Sequence, residues 1–157
     1  EEVSLAEELE MVQQYLSLEK LRFDFDYTIS VEKEIDINNT MVPSMLLQPF
    51  AENAVIHGLQ NKADDKKLII KVLKYHAKEQ QSVPWQGILI IIEDNGIGRE
   101  AAKKTERAKN GKGSKLMKER LEILQQKQGE KYHLEIIDLN DSVNNGTRVE
   151  ILIPDEK

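Results

Sequence analysis

The sequence lacks cysteine, has few aromatic residues and contains no long hydrophobic run. Because it has no cysteine, disulfides, thiolate zinc sites and iron–sulfur clusters are excluded, and a reducing compartment is permitted. Its longest uninterrupted apolar stretch is the five-residue run Ile88–Ile92, whereas a membrane-spanning helix needs about 20 apolar residues. We therefore expect that this chain does not itself cross a bilayer.

An overall positive charge is lacking as well. The formal net charge of −6 argues against general nucleic-acid binding, which needs a basic surface. The charge is uneven, however, because residues 99–120 carry nine lysines and arginines against three glutamates. The 157 residues, 39% of them hydrophobic, are enough for one domain with a core of its own.

The pattern of apolar residues predicts the order helix, two strands, helix, two strands, loop, helix, two strands. The helices are predicted at 4–22, 43–59 and 114–128, the strands within 23–37 and at 68–75, 87–94, 132–139 and 147–153, and a long loop at 96–113. Strands that follow each other over short connections pair antiparallel. We therefore expect an α+β fold: a two-layer sandwich with a mixed, mostly antiparallel sheet and about three helices on one face.

The first predicted helix has a clear start and an apolar stripe. Ser4 and Glu7 have the spacing of a capping box, and four apolar residues follow at helical spacing: Leu5, Leu9, Val12 and Leu16. Two interpretations stay open at this stage. The helix packs on its own domain, or it is the end of a longer coiled-coil-like helix that enters from a preceding region.

Four short segments carry residues suited to ligand chemistry. Asp94 ends a predicted buried strand and is followed by Gly96 and Gly98, so a carboxylate and an approachable backbone lie together. An ordinary strand-to-loop turn explains the same residues equally well. Thr147, at the start of the last strand, either reaches a ligand or simply begins a ladder.

The other two segments belong to predicted helices: one lies within the helix at 43–59 and the other leads into the helix at 114–128. Asn53 and His57 are four residues apart and therefore share a helix face. The amide oxygen of Asn53 suits a hard cation such as magnesium, although a polar pair at a helix end is the simpler explanation. Gly111 and Gly113 directly precede a predicted helix, where backbone amides can meet a phosphate.

In this order the segments resemble the ATP-binding domain of sensor histidine kinases, in particular the LytS/YehU type. This domain has the GHKL, or Bergerat, fold that gyrase and MutL ATPases share. The resemblance covers nearly the whole chain: residues 5–23 are similar to the linker helix, 42–58 to the N box, 93–98 to the first glycine box, 111–121 to the second and 146–154 to the closing motif.

The resemblance implies a role for each matching residue. Asn53 would hold the Mg²⁺ that bridges the phosphates of ATP, and His57 would lie near the nucleotide. Asp94 would accept a hydrogen bond from the adenine amino group. Backbone at Gly96 and Gly98 would pass close to the base, Gly111 and Gly113 would hinge a lid over the phosphates, and Thr147 would lie near the adenine.

The sequence also departs from the family pattern. Ile56 stands where a phosphate-binding lysine is usual, and Ser114 and Leu116 replace the leucine and asparagine of the second glycine box. Gyrase-type relatives place a catalytic glutamate where this chain has Pro49, and Glu52 points elsewhere on a helix. We therefore predict negligible ATP hydrolysis. The basic excess at 99–120 falls on the predicted lid, where it would partly replace the missing lysine.

These residues imply a function and a domain organisation. The expected function is the catalytic domain of a two-component kinase that gives the γ-phosphoryl of Mg-ATP to a histidine outside this chain. No catalytic residue is assigned within it. Residues 1–22 would lead from a dimerisation and phosphoacceptor region, residues 23–157 would bind ATP, and a response regulator would act downstream.

The resemblance also implies a cellular location, and two alternative functions stay open. The domain would be cytoplasmic within a homodimeric protein anchored in the bacterial inner membrane, with no nucleic-acid partner. The main alternative is a degenerate module that senses nucleotide or docks on partners without transferring phosphate. An anti-sigma-type serine kinase of the same fold is a further alternative, which the linker-like first helix disfavours.

Overall fold

A computed structural model describes residues 1–76, 86–98, 119, 122, 132–140 and 145–155. In chain order its elements are β1 (Glu2–Ser4), α1 (Leu5–Arg22), β2 (Asp26–Val31), β3 (Met41–Pro43), α2 (Gln48–Asn53), a π-helix (Ala54–Leu59), β4 (Lys67–His76), β5 (Gln86–Asp94), β6 (His133–Asn140) and β7 (Asn145–Pro154). The predicted helix at 114–128, except Glu119 and Glu122, and residues 99–113 of the predicted lid lie outside this description.

A five-stranded sheet in the order β2-β4-β5-β7-β6 forms one layer of the fold. β2 and β4 are parallel, and the other three neighbouring pairs are antiparallel. Helices α1 and α2 and the π-helix bury their apolar residues in one core with this sheet. The predicted α+β fold with a mixed, mostly antiparallel sheet is confirmed.

Strand β5 is the middle strand of the sheet, which explains its uninterrupted apolar run. It pairs with β4 on one edge and β7 on the other, and Ile90 and Ile92 are almost fully buried. Ile90 and Ile92 belong to the common core, and Ile91, which points to the opposite face, is only 5% exposed, so apolar residues are buried on both faces of the central strand. β5 ends at Asp94, whose register partners are Leu68 on β4 and Thr147 on β7.

The second strand predicted within 23–37 is wrong. β2 ends at Val31, and the following residues form turns in which Ile35 N donates to Glu32 O (3.1 Å) and Thr40 N to Asp36 O (3.1 Å). Ile35 is buried nonetheless, so its hydrophobicity fills the core from a turn. A short strand instead forms at β3, which pairs antiparallel with β1.

Helix α1 packs on this domain. The Ser4 hydroxyl accepts a hydrogen bond from Glu7 N (3.1 Å), as the capping pattern predicts. The predicted apolar stripe is buried in the common core, whereas Leu18 and Leu21 are 64% and 84% exposed. Among the described helices, none is both long and apolar enough to span a membrane.

The predicted helix at 43–59 begins later than expected. Residues 44–47 form turns, and α2 begins at Gln48 with Pro49 in its first turn. Proline is tolerated there because the first amides of a helix have no partner within it. The helix therefore starts next to Pro49 instead of at Pro43.

Candidate functional site

Asp94 is a buried carboxylate at the end of the central strand. Only 4% of its surface is exposed, and its Oδ1 accepts a hydrogen bond from Gly96 N (2.9 Å). Burial raises the pKa of Asp94 to about 7, and the charge of Glu93 adds to this, while backbone hydrogen bonds from Gly96 and Thr147 and the charge of Lys62 oppose it. The site thus holds a hydrogen-bond acceptor whose protonation changes near neutral pH.

Three glycines allow close packing at Asp94, and there is no space for larger residues at their positions. A Cβ atom at Gly58 would lie 2.5 Å from Asp94 Oδ1, closer than any van der Waals contact. A Cβ at Gly96 would collide with the backbone of Gly58, and one at Gly146 would collide with the Asp94 carbonyl. Three segments distant in sequence therefore meet at Asp94 only because each supplies a glycine at the contact.

The loop after β5 is fixed by hydrogen bonds on both sides. Ile97 N donates to Gly58 O (3.2 Å), which joins the loop to the π-helix. The Asn95 side chain accepts from Lys67 N (2.7 Å) and donates to Asp65 O (2.7 Å), and Lys62 Nζ donates to Asn95 O (2.9 Å). These bonds hold the backbone at Gly96 in place beside the Asp94 carboxylate.

Asn53 lies at the junction between α2 and the π-helix and is half-buried. In the π-helix the backbone bonds span five residues instead of the four of an α-helix, and Gln60 N donates to Val55 O (2.9 Å). π-helices are rare and are frequent at functional sites. This one buries Val55 and Leu59, leaves Ile56 45% exposed and ends in contact with the Asp94 region through Gly58.

The start of α2 is capped by a residue from another helix. Glu8 of α1 is fully buried, and its carboxylate accepts from Met45 N (3.2 Å), Leu47 N (2.9 Å) and Gln48 N (3.3 Å). Leu47, the N-cap residue, makes no side-chain capping bond itself. Glu8 therefore satisfies backbone amides that the helix start would otherwise leave without acceptors.

The structure brings part of the predicted site together. Asp94 and Gly96 are in direct contact, Thr147 donates a backbone hydrogen bond to Asp94, and Gly98, with a φ of +86°, faces Gly146. Asn53 and His57 lie on the helical segment that ends at this cluster, and His57 is half-buried. Gly111 and Gly113 lie outside the described residues.

Sequence reasoning missed several residues of the site. Gly58 and Gly146 fall within recognised motifs, but their contact with Asp94 depends on close packing between distant segments. Asn95 also lies in a recognised motif, at 93–98, but was given no role, and Lys62 lies outside all of them. Glu8 offered a signal that was overlooked: it lies three residues after Leu5 and four before Val12, so a carboxylate interrupts the apolar stripe.

The described side chains can hold a metal ion only if a bound nucleotide or similar molecule supplies most of the oxygen atoms around the metal. Among the described residues, no group of three or more His, Cys, Asp or Glu side chains could hold a metal ion. Mg²⁺ commonly takes one or two protein ligands and completes its octahedron with phosphate oxygens and water. The single amide oxygen of Asn53 fits that arrangement, and the glycine-walled carboxylate of Asp94 fits a ligand that donates a hydrogen bond.

Comparison with solved structures defines the class of fold. The histidine kinase domain of the blue-light activated histidine kinase EL346 from Erythrobacter litoralis superposes with a TM-score of 0.58 at 17% identity, over 97% of this chain and 61% of that one. The catalytic domain of histidine kinase ThkA superposes with a TM-score of 0.55 at 12% identity, over 98% and 95%. The chain has the fold of histidine kinase catalytic domains.

Sequence comparison points to one type of kinase. The chain is 32% identical over 96 residues to the sensor histidine kinase/phosphatase LytS of Staphylococcus aureus strain MRSA252, and 31% identical to that of strain Mu50. Each alignment covers 61% of this chain and only 15% of LytS. No protein-family model matches the chain. The predicted resemblance to LytS-type sensor histidine kinases is confirmed.

Proposed function

We propose that this chain is the catalytic ATP-binding domain of a two-component sensor histidine kinase. The observation that carries the proposal is the buried Asp94 carboxylate at the end of the central strand, which packs against Gly58 and accepts a hydrogen bond from Gly96 N. The fold of histidine kinase catalytic domains and the similarity to LytS support it. The alignment covers only 15% of the length of LytS, so the activity and partners of this chain are part of the proposal.

In this proposal, Asp94 selects the base of the nucleotide. Its carboxylate accepts a hydrogen bond from the adenine amino group, a donor that guanine lacks at the same position. The backbone near Gly96, Gly98 and Thr147 lies beside the base because glycines permit close approach. Since Asp94 is held by amides of Gly96 and Thr147, it needs little reorganisation when the base arrives.

The phosphates would lie toward the helical segment. Asn53 supplies one oxygen ligand to Mg²⁺, with His57 near the nucleotide and Gly111 and Gly113 at the hinges of a lid. Bound Mg-ATP provides the γ-phosphoryl group, and its metal neutralises phosphate charge. This chain would position that group for an acceptor histidine elsewhere, without covalent catalysis by its own residues.

We infer that the domain hydrolyses little ATP. A general base must lie within hydrogen-bond reach of the attacking water. Pro49 occupies the position where gyrase-type relatives have that base, and it lies in the first turn of α2. Glu52 is already an acceptor for Gln48 Nε2 (3.2 Å), so neither residue is arranged to activate water.

The wider assembly follows from the same proposal. Residues 1–22 would connect the ATP-binding part, residues 23–157, to a dimerisation and phosphoacceptor region, and a response regulator would receive the phosphoryl group. The exposed Leu18 and Leu21 near the end of α1 would suit contact with such a region. We also propose that the domain works on the cytoplasmic side of a membrane-anchored homodimer.

One observation favours a second candidate function. Ile56 is 45% exposed on the π-helix, where the family usually has a phosphate-binding lysine. An exposed isoleucine supplies no positive charge to a triphosphate, so this position favours a chain that does not hold ATP for phosphate transfer. The chain would then sense nucleotide or dock on partners without transferring phosphate.

Thermal unfolding with and without nucleotide tests the proposal. Mg-ATP or Mg-ADP at 100 times its dissociation constant should add about 2.7 kcal/mol of stability, a shift of roughly 5 to 10 °C for a domain of this size. Asp94→Asn should lose most of the shift, whereas the exposed Asp24→Asn should keep it. If neither nucleotide shifts the wild type, the nucleotide-binding proposal is wrong and a docking module is favoured.

A further inference from the structure

Helix α1 is connected to the segment that carries Asn53 by a buried carboxylate. Glu8 is the only charged residue within the buried stripe of α1, and none of its surface is exposed. A buried charge is costly unless it is fully hydrogen-bonded. Its three backbone bonds, to the amides of Met45, Leu47 and Gln48, span the turn that leads into α2.

The turn held by Glu8 adopts a backbone conformation that needs support. Met45 has a φ of +64°, in the left-handed region that non-glycine residues rarely occupy. Such conformations persist where the surroundings fix them. Here the Met45 amide donates to Glu8 Oε2 (3.2 Å), so the carboxylate holds the conformation from which α2 starts.

The distance along the chain from this turn to Asn53 is short. α2 contains only six residues, Gln48–Asn53, so a displacement at its start is carried to its end by hydrogen-bonded backbone. Near that end, the charge of Glu52 on α2 also acts on Tyr15 of α1. Burial raises the pKa of Tyr15 to about 12, and the charges of Glu19 on α1 and Glu52 on α2 add to the increase.

We propose that Glu8 is a positioning residue that sets the location of Asn53, and that α1 controls the Mg²⁺-dependent part of nucleotide binding through it. The effect on nucleotide rests on the proposed function, whereas the effect on α2 concerns the protein alone. In this arrangement, a shift of α1 moves the metal ligand without any contact between α1 and the nucleotide.

The test uses one variant and two controls on the same helix. Glu8→Gln preserves the shape of the side chain but places an amide donor against a backbone amide. Glu10→Gln makes the same chemical change at an exposed position of α1. Ser4→Ala removes the hydroxyl that caps α1, so it destabilises that helix without touching the start of α2.

The first measurement is amide hydrogen exchange in the protein without nucleotide. In Glu8→Gln, we expect faster exchange at Leu47 and Gln48 that extends along α2 to Asn53, with β4 and β5 unchanged. Faster exchange confined to the residues that Glu8 contacts would overturn the proposal, because the carboxylate would then be a local cap. No change at α2 would overturn it as well. Glu10→Gln and Ser4→Ala should leave α2 as in the wild type.

The second measurement is nucleotide affinity with and without Mg²⁺, well below the unfolding temperature. Glu8→Gln should reduce the gain in affinity that Mg²⁺ provides by about tenfold, the lower end of the effects of residues that hold a metal ligand in place. Its affinity for nucleotide without Mg²⁺ should be unchanged. An unchanged Mg²⁺ gain would overturn the proposal. If the wild type binds no nucleotide, the proposed function fails, and hydrogen exchange still decides the coupling.

Discussion

Asp94 is a buried carboxylate, which is costly for folding, and it is also the proposed hydrogen-bond acceptor for the nucleotide. Its carboxylate is buried at the end of a strand where the surrounding glycines exclude water and bring backbone amides close. Burial favours the neutral form, and the amides of Gly96 and Thr147 favour the charged one. Because burial dominates, the carboxylate titrates near neutral pH, and both stability and binding should respond to pH.

The contribution of Asp94 to the stability of the domain should fall as the pH rises from about 4 to about 7. Over that range the unfolded Asp94 is ionised while the folded one, with a pKa of about 7, still holds its proton. The decline should amount to roughly 3 to 5 kcal/mol, and Asp94→Asn should abolish it. Urea denaturation at several pH values measures this difference, and Asp24→Asn should behave like the wild type. Parallel profiles for wild type and Asp94→Asn would contradict the prediction.

Nucleotide affinity should change in the opposite direction. The ionised carboxylate is the stronger hydrogen-bond acceptor, so binding depends on the fraction of Asp94 that is ionised. With a pKa of about 7, the affinity for ATP should be about tenfold higher at pH 8 than at pH 6. Fluorescence titration checks this ratio, and Asp94→Asn should show weak binding at both pH values. A pH-independent wild type would be inconsistent with this role.

Gly58 should be irreplaceable even by alanine. Alanine normally stabilises a helix by about 1 kcal/mol relative to glycine, but here its Cβ would lie 2.5 Å from Asp94 Oδ1. We expect Gly58→Ala to lower the unfolding free energy by about 1 to 3 kcal/mol and to weaken nucleotide binding, as measured by urea denaturation and titration. Ile56→Ala, at an exposed position of the same segment, should change stability little. A stabilised Gly58→Ala would show that the glycine contact is not needed.

Ile56 gives a test of the missing phosphate contact. Ile56→Lys restores a positive charge on the exposed face of the π-helix and should tighten Mg-ATP binding by about two- to fivefold, as expected for an exposed ion pair. Ile56→Gln controls for the loss of an exposed apolar side chain. Equal affinities of the two variants in calorimetric titrations would argue that the phosphates do not lie near this residue.

At the scale of single elements, α1 shows how much the sequence can reveal. Its start at Ser4, its apolar stripe and its length were predictable because local hydrogen bonding and helical periodicity determine them. The burial of Glu8 was not inferred, since it depends on amides 37 to 40 residues away in the chain. The π-helix has no sequence signature, and its position beside Asp94 follows from packing alone.

Some strands were predictable from the sequence, and others were not. β4, β5 and the β6–β7 pair were predictable from apolar runs and turn residues, and Asp94 was correctly placed at the end of β5. The alternation that continues to Ile37 suggested a strand, yet turns at 32–40 break the backbone. Strands β1 and β3 have three residues each, too few to show a period, and their pairing is nonlocal.

The cap of α1 permits a prediction at this scale. Ser4→Ala removes the acceptor of Glu7 N and should cost about 1 kcal/mol, or roughly 2 to 4 °C in thermal unfolding. Ser17 lies in the exposed interior of α1, where its hydroxyl donates to Gln14 O (2.8 Å), so Ser17→Ala should be neutral or slightly stabilising. Equal destabilisation by both variants would mean that the cap has no special importance.

The whole domain is organised around the end of its central strand. The π-helix, β5 and β7 meet at Asp94. The π-helix continues directly from α2, and Glu8 joins α1 to the start of α2. Under the proposed function, this connection would let α1 affect nucleotide binding without touching the nucleotide.

Neither Pro49 nor Glu52 is arranged to act as a general base, which predicts the behaviour of the isolated domain. With Pro49 at the start of α2 and Glu52 engaged by Gln48, hydrolysis of Mg-ATP should be undetectable in a phosphate-release assay. Pro49→Glu places a carboxylate where gyrase-type relatives have their general base, and it should hydrolyse ATP faster than the wild type. Metal-dependent turnover of about one per second, at the low end of typical enzymes, would contradict the prediction for the wild type.

The central claim is that Asp94 recognises the adenine of a bound nucleotide. Calorimetric titration of Mg-ATP and Mg-GTP into the wild type and Asp94→Asn at pH 8 tests it most directly. We predict that the wild type prefers ATP by about tenfold or more, as expected for a hydrogen bond to a charged group, and that Asp94→Asn loses this preference while remaining folded. Equal affinities of the wild type for ATP and GTP, or an unchanged preference in Asp94→Asn, would contradict the account.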